Sequence, residues 1–156
     1  MRLLIPAVLL LAACEPDCPA PSDVDGTWLL HSVVMTQEGG DDPAFPSYHS
    51  PANGTHAWAL TWGSSELGDV DVKLDGRDMS GVGAWDPYAC GAFSLDVSGT
   101  HMGETGTRHA FEATLDLVLW DDRLDGAYEW AEDWTDREGS QSGTFTAQGR
   151  MSGTRP

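Results

Sequence analysis

Apolar and polar residues alternate with a period of two along most of the chain. In segment 69–74, two valines and a leucine at even positions alternate with two aspartates and a lysine at odd positions. In segment 109–120, every odd position from 111 onward is apolar. This period is typical of a strand with one buried and one exposed face. The predicted strands cover 27–35, 55–62, 69–74, 79–86, 92–98, 109–120, 123–130 and 143–151.

The segments between these strands are mostly short and polar, and Asp121-Asp122 predicts a tight turn. No stretch sustains a helical period over a length typical of helices. Closing such a meander into a ring removes the exposed edges of an open sheet. The prediction is therefore an all-β fold, an antiparallel up-and-down meander of about eight strands that closes into a barrel. A two-sheet β-sandwich is the alternative.

The first residues form a separate unit with one early charge, Arg2, followed by an apolar run over 3–11. This run is too short to span a bilayer and has the length of a secretory signal. It ends in Leu11-Ala12-Ala13-Cys14, which resembles the lipobox of bacterial lipoproteins. The resemblance implies a signal peptide over 1–13 and a diacylglycerol thioether on Cys14. The alternative is an ordinary secretory signal, with Cys14 free to form a disulfide.

The lipobox also implies a location and a domain organisation. Residues 14–24 contain three prolines and are predicted to form an anchor and an extended tether, and 25–156 form the barrel domain. Glu15 follows the cysteine where aspartate usually signals inner-membrane retention in Gram-negative relatives. The expected location is the cell envelope, lipid-anchored, in the outer membrane and facing the periplasm or the cell surface.

Charge limits the partners of this chain. It has 8 Lys and Arg against 25 Asp and Glu, a net charge of −17. Nucleic acids and anionic membrane surfaces are disfavoured because they repel such a protein. The expected partners are the membrane through acylated Cys14, a small hydrophobic ligand and an envelope protein.

Two cysteines remain once Cys14 is acylated, Cys18 and Cys90. In an oxidising compartment an even pair usually closes, which predicts a Cys18–Cys90 disulfide.

Gly26-Thr27-Trp28 at the start of the first strand resembles the Gly-x-Trp signature of lipocalins. Avidin-like barrels also begin with these three residues. The resemblance implies a small barrel whose floor is closed by Trp28, with an arginine of the last strand lying across the indole. Arg150 is placed for that role.

The sequence contains no catalytic motif, so we predict no enzyme activity and no cofactor. The five histidines have no metal-site spacing, and the aspartates around 69–78 do not complete a calcium loop. No metal site is predicted.

The seven tryptophans are the strongest compositional signal. We predict that His56, Trp58, Trp62, Tyr128 and Trp130 line a cavity inside the barrel. The alternative is that these rings fill a solid core. The long segment 37–54, with Phe45 and Tyr48, is a candidate recognition loop.

These observations predict a lipid-anchored lipoprotein of the cell envelope whose barrel binds a small apolar or amphipathic ligand. The alternative is a non-enzymatic structural or interaction module with a solid barrel, whose acidic face or 37–54 loop contacts an envelope protein.

Overall fold

The computed structural model describes residues 18–39, 51–103 and 106–156. Eight antiparallel strands follow one another in a single meander sheet, and β8 pairs with β1 to close the ring. The prediction of an all-β meander barrel is confirmed, and the sandwich alternative is not observed. The strands are β1 Gly26–Gly39, β2 Gly54–Thr61, β3 Leu67–Leu74, β4 Arg77–Trp85, β5 Ala92–Met102, β6 Arg108–Trp120, β7 Arg123–Thr135 and β8 Ser142–Thr154.

Alternation along each strand separates the interior from the surface, as β6 shows. From His109 to Leu119 every odd position is buried, while most side chains between them are exposed. The same pattern in the neighbouring strands places one face of the whole sheet inside the ring. The core therefore lies within the barrel, and most of the acidic side chains on the strands lie on its outer face.

Tight turns connect the long antiparallel pairs. β3 and β4 are joined by Asp75 and Gly76, which have φ values of 49° and 80°. β6 and β7 are joined by the predicted turn Asp121-Asp122, where Asp121 has a φ of 52°. Left-handed residues at these positions match the twist of a two-residue hairpin.

Residues 18–25 cover one end of the barrel rather than forming a free tether. Cys18 is bonded to Cys90 with their Cα atoms 5.0 Å apart, so the predicted disulfide is confirmed. A 3-10 helix follows at Pro21–Val24, and its first and last residues are buried. The prediction of an extended tether over 14–24 is therefore wrong for the part from Cys18 onward. This part packs on the barrel, and Val24 belongs to the core.

The two ends of the barrel differ. The disulfide end comprises the Cys18–Cys90 bond, the 3-10 helix, the connections 62–66 and 86–91, the turn 121–122 and the chain after β8. The distal end comprises the turn 75–76, residues 103 and 106–107 between β5 and β6, and the connection 136–141, and β1 ends there with Gly39 paired to Phe145. Cys14, Phe45 and Tyr48 lie outside the described residues.

Candidate functional site

The floor of the barrel is built on Trp28. Its ring is fully buried, and its Nε1 donates a hydrogen bond of 2.8 Å to the carbonyl of Val24. The guanidinium carbon of Arg155 lies 4.5 Å from the ring centroid. An arginine therefore lies over the first tryptophan, as predicted, at the floor of the barrel.

The arginine that covers Trp28 is not the predicted one. Arg150 is exposed on the outer face, because its neighbours Gly149 and Met151 occupy the inward positions of β8. Arg155 follows the last residue of β8 and also donates to the carbonyl of Asp23. The role assigned to Arg150 belongs to Arg155, since β8 continues beyond the predicted end at 151.

The aromatic residues predicted to line a cavity are covered by other side chains. Trp58 is 0% exposed, Tyr128 and Trp130 are 2% exposed and Trp62 is 6% exposed. Trp130 stacks on Phe111 with ring centroids 4.3 Å apart. These rings contribute to one continuous core.

Trp62 lies at the disulfide end, in a separate aromatic group. Its ring makes edge contacts with Trp85 and Phe93 at centroid distances of 5.8 Å and 5.3 Å. Trp85 and Phe93 stack on each other at 5.4 Å. The predicted wall is therefore divided, with Trp62 in this group and Trp130 in the stack with Phe111.

Tyr128 is tied to the segment that enters β2. Its hydroxyl donates a 2.8 Å hydrogen bond to the carbonyl of Ala52, which is fully buried. Burial raises the pKa of Tyr128 to about 12, so the phenol keeps its proton at neutral pH. The end of the segment 37–54 thus packs into the barrel.

A group of polar side chains on the inner face towards the distal end is joined there by Asp75 of the exposed β3–β4 turn. We call His56, His101 and His109, with Asp75 and Glu132, the histidine cluster. The rings of His56 and His101 are 6.1 Å apart, and those of His101 and His109 are 6.5 Å apart. Sequence analysis identified only His56, although His101 and His109 are direct neighbours in the β5–β6 ladder.

Two carboxylates hold this cluster. His56 Nδ1 lies 2.7 Å from Asp75 Oδ2, and His109 Nδ1 lies 2.6 Å from Glu132 Oε1. The other oxygen of Glu132 accepts a 2.7 Å hydrogen bond from Trp130 Nε1. Glu132 is therefore a buried acid with two hydrogen-bond partners inside the barrel.

Burial and neighbouring groups shift the titration of the cluster. Burial lowers the pKa of His101, and the nearby positive charge of Arg77 lowers it further. Burial alone would raise the pKa of Asp75, but its hydrogen bonds with His56 and the Ala57 N–H bring the pKa below its ordinary value. His101 therefore favours its neutral form and Asp75 its charged form.

An open concavity with a volume of about 820 Å³ lies on the sheet, and most of its lining residues are at outward positions, whereas Val97, Ala113, Trp130 and Ala147 are buried inward residues of the same strands. We call it the outer groove. Its floor is formed by β4, β5, β6, β7, β8 and the end of β1, and it contains no Lys or Arg among the described residues that line it. The lining residues are Thr36, Gln37, Glu38, Ser80, Val82, Asp96, Val97, Ser98, Glu112, Ala113, Thr114, Glu129, Trp130, Ala131, Thr146, Ala147 and Gln148.

Four carboxylates give the outer groove a negative charge, those of Glu38, Asp96, Glu112 and Glu129. Asp96 accepts a 2.7 Å hydrogen bond from the Thr114 hydroxyl, and Glu129 accepts one of 3.1 Å from the Gln148 amide. Both donors are neutral and both bonds are exposed, so these contacts bring no positive charge to the two carboxylates. Sequence analysis predicted an acidic outer face but not its concave shape.

Within the described ranges, no three His, Cys, Asp or Glu side chains are arranged to hold a metal ion. In the same residues, no helix has the length and apolar character needed to cross a membrane. Comparison of the chain with protein-family models, with curated proteins and with solved structures finds no match.

Proposed function

We propose that this protein is a lipid-anchored, non-enzymatic binding module of the cell envelope that recognises a basic segment of another envelope protein through its outer groove. The observation that carries the proposal is the groove itself, an open concavity with four carboxylates and no cation among its described lining residues. A partner with Lys or Arg side chains supplies the missing charge.

The state of the barrel interior supports this choice. The rings that a lumen ligand would contact are covered by other side chains, and none of the four is more than 6% exposed. The outer groove, by contrast, is open to solvent and has the volume of a ligand site. A barrel with a filled core presents its outer surface to partners.

The test is the binding of an oligolysine peptide to the mature protein in detergent micelles, measured by calorimetry against an oligoglutamate peptide of equal length. The variant Glu112→Gln/Glu129→Gln removes two groove charges. Two exposed charge pairs lost together are expected to weaken binding about 3- to 10-fold.

The matched control is Asp69→Asn/Asp71→Asn, which removes two exposed charges from β3, outside the groove. Both double variants have the same net charge, so long-range attraction to the peptide falls equally in both. Equal weakening by the two variants would contradict recognition in the groove.

A second candidate, a small amphipathic ligand within the barrel, is favoured by two buried donors. Ser32 Oγ and Trp58 Nε1 have no hydrogen-bond partner among the described residues. Buried donors in proteins are normally paired, and a polar atom of a ligand or a water would pair them. Native mass spectrometry of the purified protein, showing a bound small molecule, would support this candidate over the first.

A further inference from the structure

Several exposed apolar side chains, including both strongly exposed aromatic ones among the described residues, lie at the disulfide end of the barrel. Tyr88 is 97% exposed, Trp120 and Leu67 are each 69% exposed, and Val118 is 41% exposed. Tyr88 lies in the connection 86–91, Leu67 begins β3, and Val118 and Trp120 end β6. Among the described residues, Tyr88 and Trp120 are the aromatic side chains with large exposure.

The exposed aromatic residues lie beside the disulfide. The N–H of Leu119 donates a 2.8 Å hydrogen bond to the carbonyl of Gly91. Trp120 therefore lies next to the residue that follows Cys90, and Tyr88 precedes Cys90 by two positions. Cys18, the first described residue, is bonded to Cys90 and thus lies close to the segments that carry Tyr88 and Trp120.

The reach of that chain is short. Four residue steps separate Cys14 from Cys18, and each step spans at most about 3.6 Å, so the two Cα atoms lie within about 14 Å. Strands of thirteen residues, such as β6 and β7, extend over roughly 40 Å before tilt is considered. An anchor on Cys14 therefore holds the disulfide end at the bilayer and the distal end away from it.

We infer that the barrel stands on the membrane on its disulfide end, with Trp120 and Tyr88 in the headgroup layer. This inference rests on the proposed acylation of Cys14. Indole and phenol rings favour the boundary between lipid and water, because their apolar rings and polar tips match the two sides of that boundary. The two rings thus add a second contact to the acyl chains.

The charged residues at the disulfide end determine which headgroup charge this end can approach. Asp86, Asp121 and Asp122 lie at the disulfide end, and the Arg155 guanidinium is paired with Asp122 at 2.9 Å. Uncompensated carboxylates repel anionic headgroups. The surface that fits this end is a bilayer of zwitterionic phospholipid, contacted at headgroup depth.

The test uses the acylated protein in phosphatidylcholine vesicles that carry a nitroxide on the headgroup, with quenching of tryptophan fluorescence as the readout. Trp120 is the most exposed of the tryptophans, so in this orientation it comes closest to the nitroxides, and its share of the quenching is read from the difference between the wild type and Trp120→Phe. Trp120→Phe is expected to lose most of the quenching. In the Trp120→Phe background, Met102→Trp places an indole at an exposed distal site and is expected to restore none of it.

Unchanged quenching in Trp120→Phe, or strong quenching from Met102→Trp, would overturn the orientation. Incorporation of a labelled fatty acid in the wild type and in Cys14→Ser tests the anchor separately. Equal label in both would overturn the anchor and the orientation together. If only the wild type incorporates the label and Trp120→Phe removes most of the quenching, the anchor and the orientation are both supported.

Discussion

The guanidinium of Arg155 closes the floor of the barrel by covering Trp28. Besides the contact with the ring, it donates hydrogen bonds to the carbonyls of Asp23 and Asp25. One side chain thus joins the end of β8 to the 3-10 helix that precedes β1. A cation over an indole contributes about 0.5–2 kcal/mol, depending on its exposure.

We expect Arg155→Gln to lower the free energy of unfolding by about 1–2 kcal/mol, because the contact with Trp28 is lost. Arg150→Gln removes the same charge from an exposed position and is expected to change it by less than about 0.5 kcal/mol. Urea denaturation followed by tryptophan fluorescence measures both values. Equal effects would show that Arg155 contributes only its charge.

His101 makes stability depend on pH. Its pKa in the folded protein is lower than the ordinary histidine value of 6.5, so the unfolded chain binds a proton more readily than the native protein. Stability is therefore expected to fall as the pH decreases below about 6.5, until the folded pKa is passed. Asp75, with a pKa lowered from 3.8, contributes stability that is lost only in a more acidic range.

His101→Gln is expected to reduce the slope of stability against pH between about pH 5 and about pH 7, because glutamine does not titrate there. His31→Gln is the control, since His31 is exposed on the outer face of β1. The measurement is urea denaturation of both variants and the wild type across this range. If the free energy of unfolding of His101→Gln changes with pH as steeply as that of the wild type, the pH dependence comes from other groups.

At the scale of elements, the disulfide joins the segment before β1 to the connection between β4 and β5. The closed loop spans 72 positions, and the chain-entropy model gives about 4 kcal/mol for a bond of this span. We expect Cys18→Ala/Cys90→Ala to lose about that free energy of unfolding. The wild type under reducing conditions should approach the variant, and the variant itself should not respond to reductant.

The strands show how much of an element the sequence specifies. All eight were predicted, because period-two alternation identifies a strand with one buried face. β7 was predicted to end at 130 but continues to Thr135. The reason is Glu132, a polar residue at an inward position that forms hydrogen bonds with His109 and Trp130. Alternation of apolar residues cannot reveal such a position.

At the scale of the whole molecule, the fold was predictable and the site was only partly so. The sequence shows which side chains point inward but not which of them meet, so Trp62 was grouped with Trp130 although it packs with Trp85 and Phe93. The pairing of Cys18 with Cys90 followed from the number of cysteines and from the oxidising compartment that the sequence predicts. The outer groove depends on the curvature of a closed sheet, which no local pattern records.

The grouping of the acidic residues is visible only at the scale of the whole molecule. Along the strands most of them belong to the polar half of an alternation, and the chain's net charge of −17 predicts only repulsion from anionic surfaces. Closure of the ring gathers Asp96, Glu112 and Glu129 from three neighbouring strands into one concavity. Negative charge that is spread along the sequence is therefore concentrated in the outer groove.

The disulfide also determines how the barrel bears mechanical load. A pull on the chain ahead of Cys18 is divided between β1, through the 3-10 helix, and the connection before β5, through Cys90. β1 and β5 are on opposite sides of the eight-membered ring. The force is thus shared across the barrel instead of peeling β1 from its neighbours one hydrogen bond at a time.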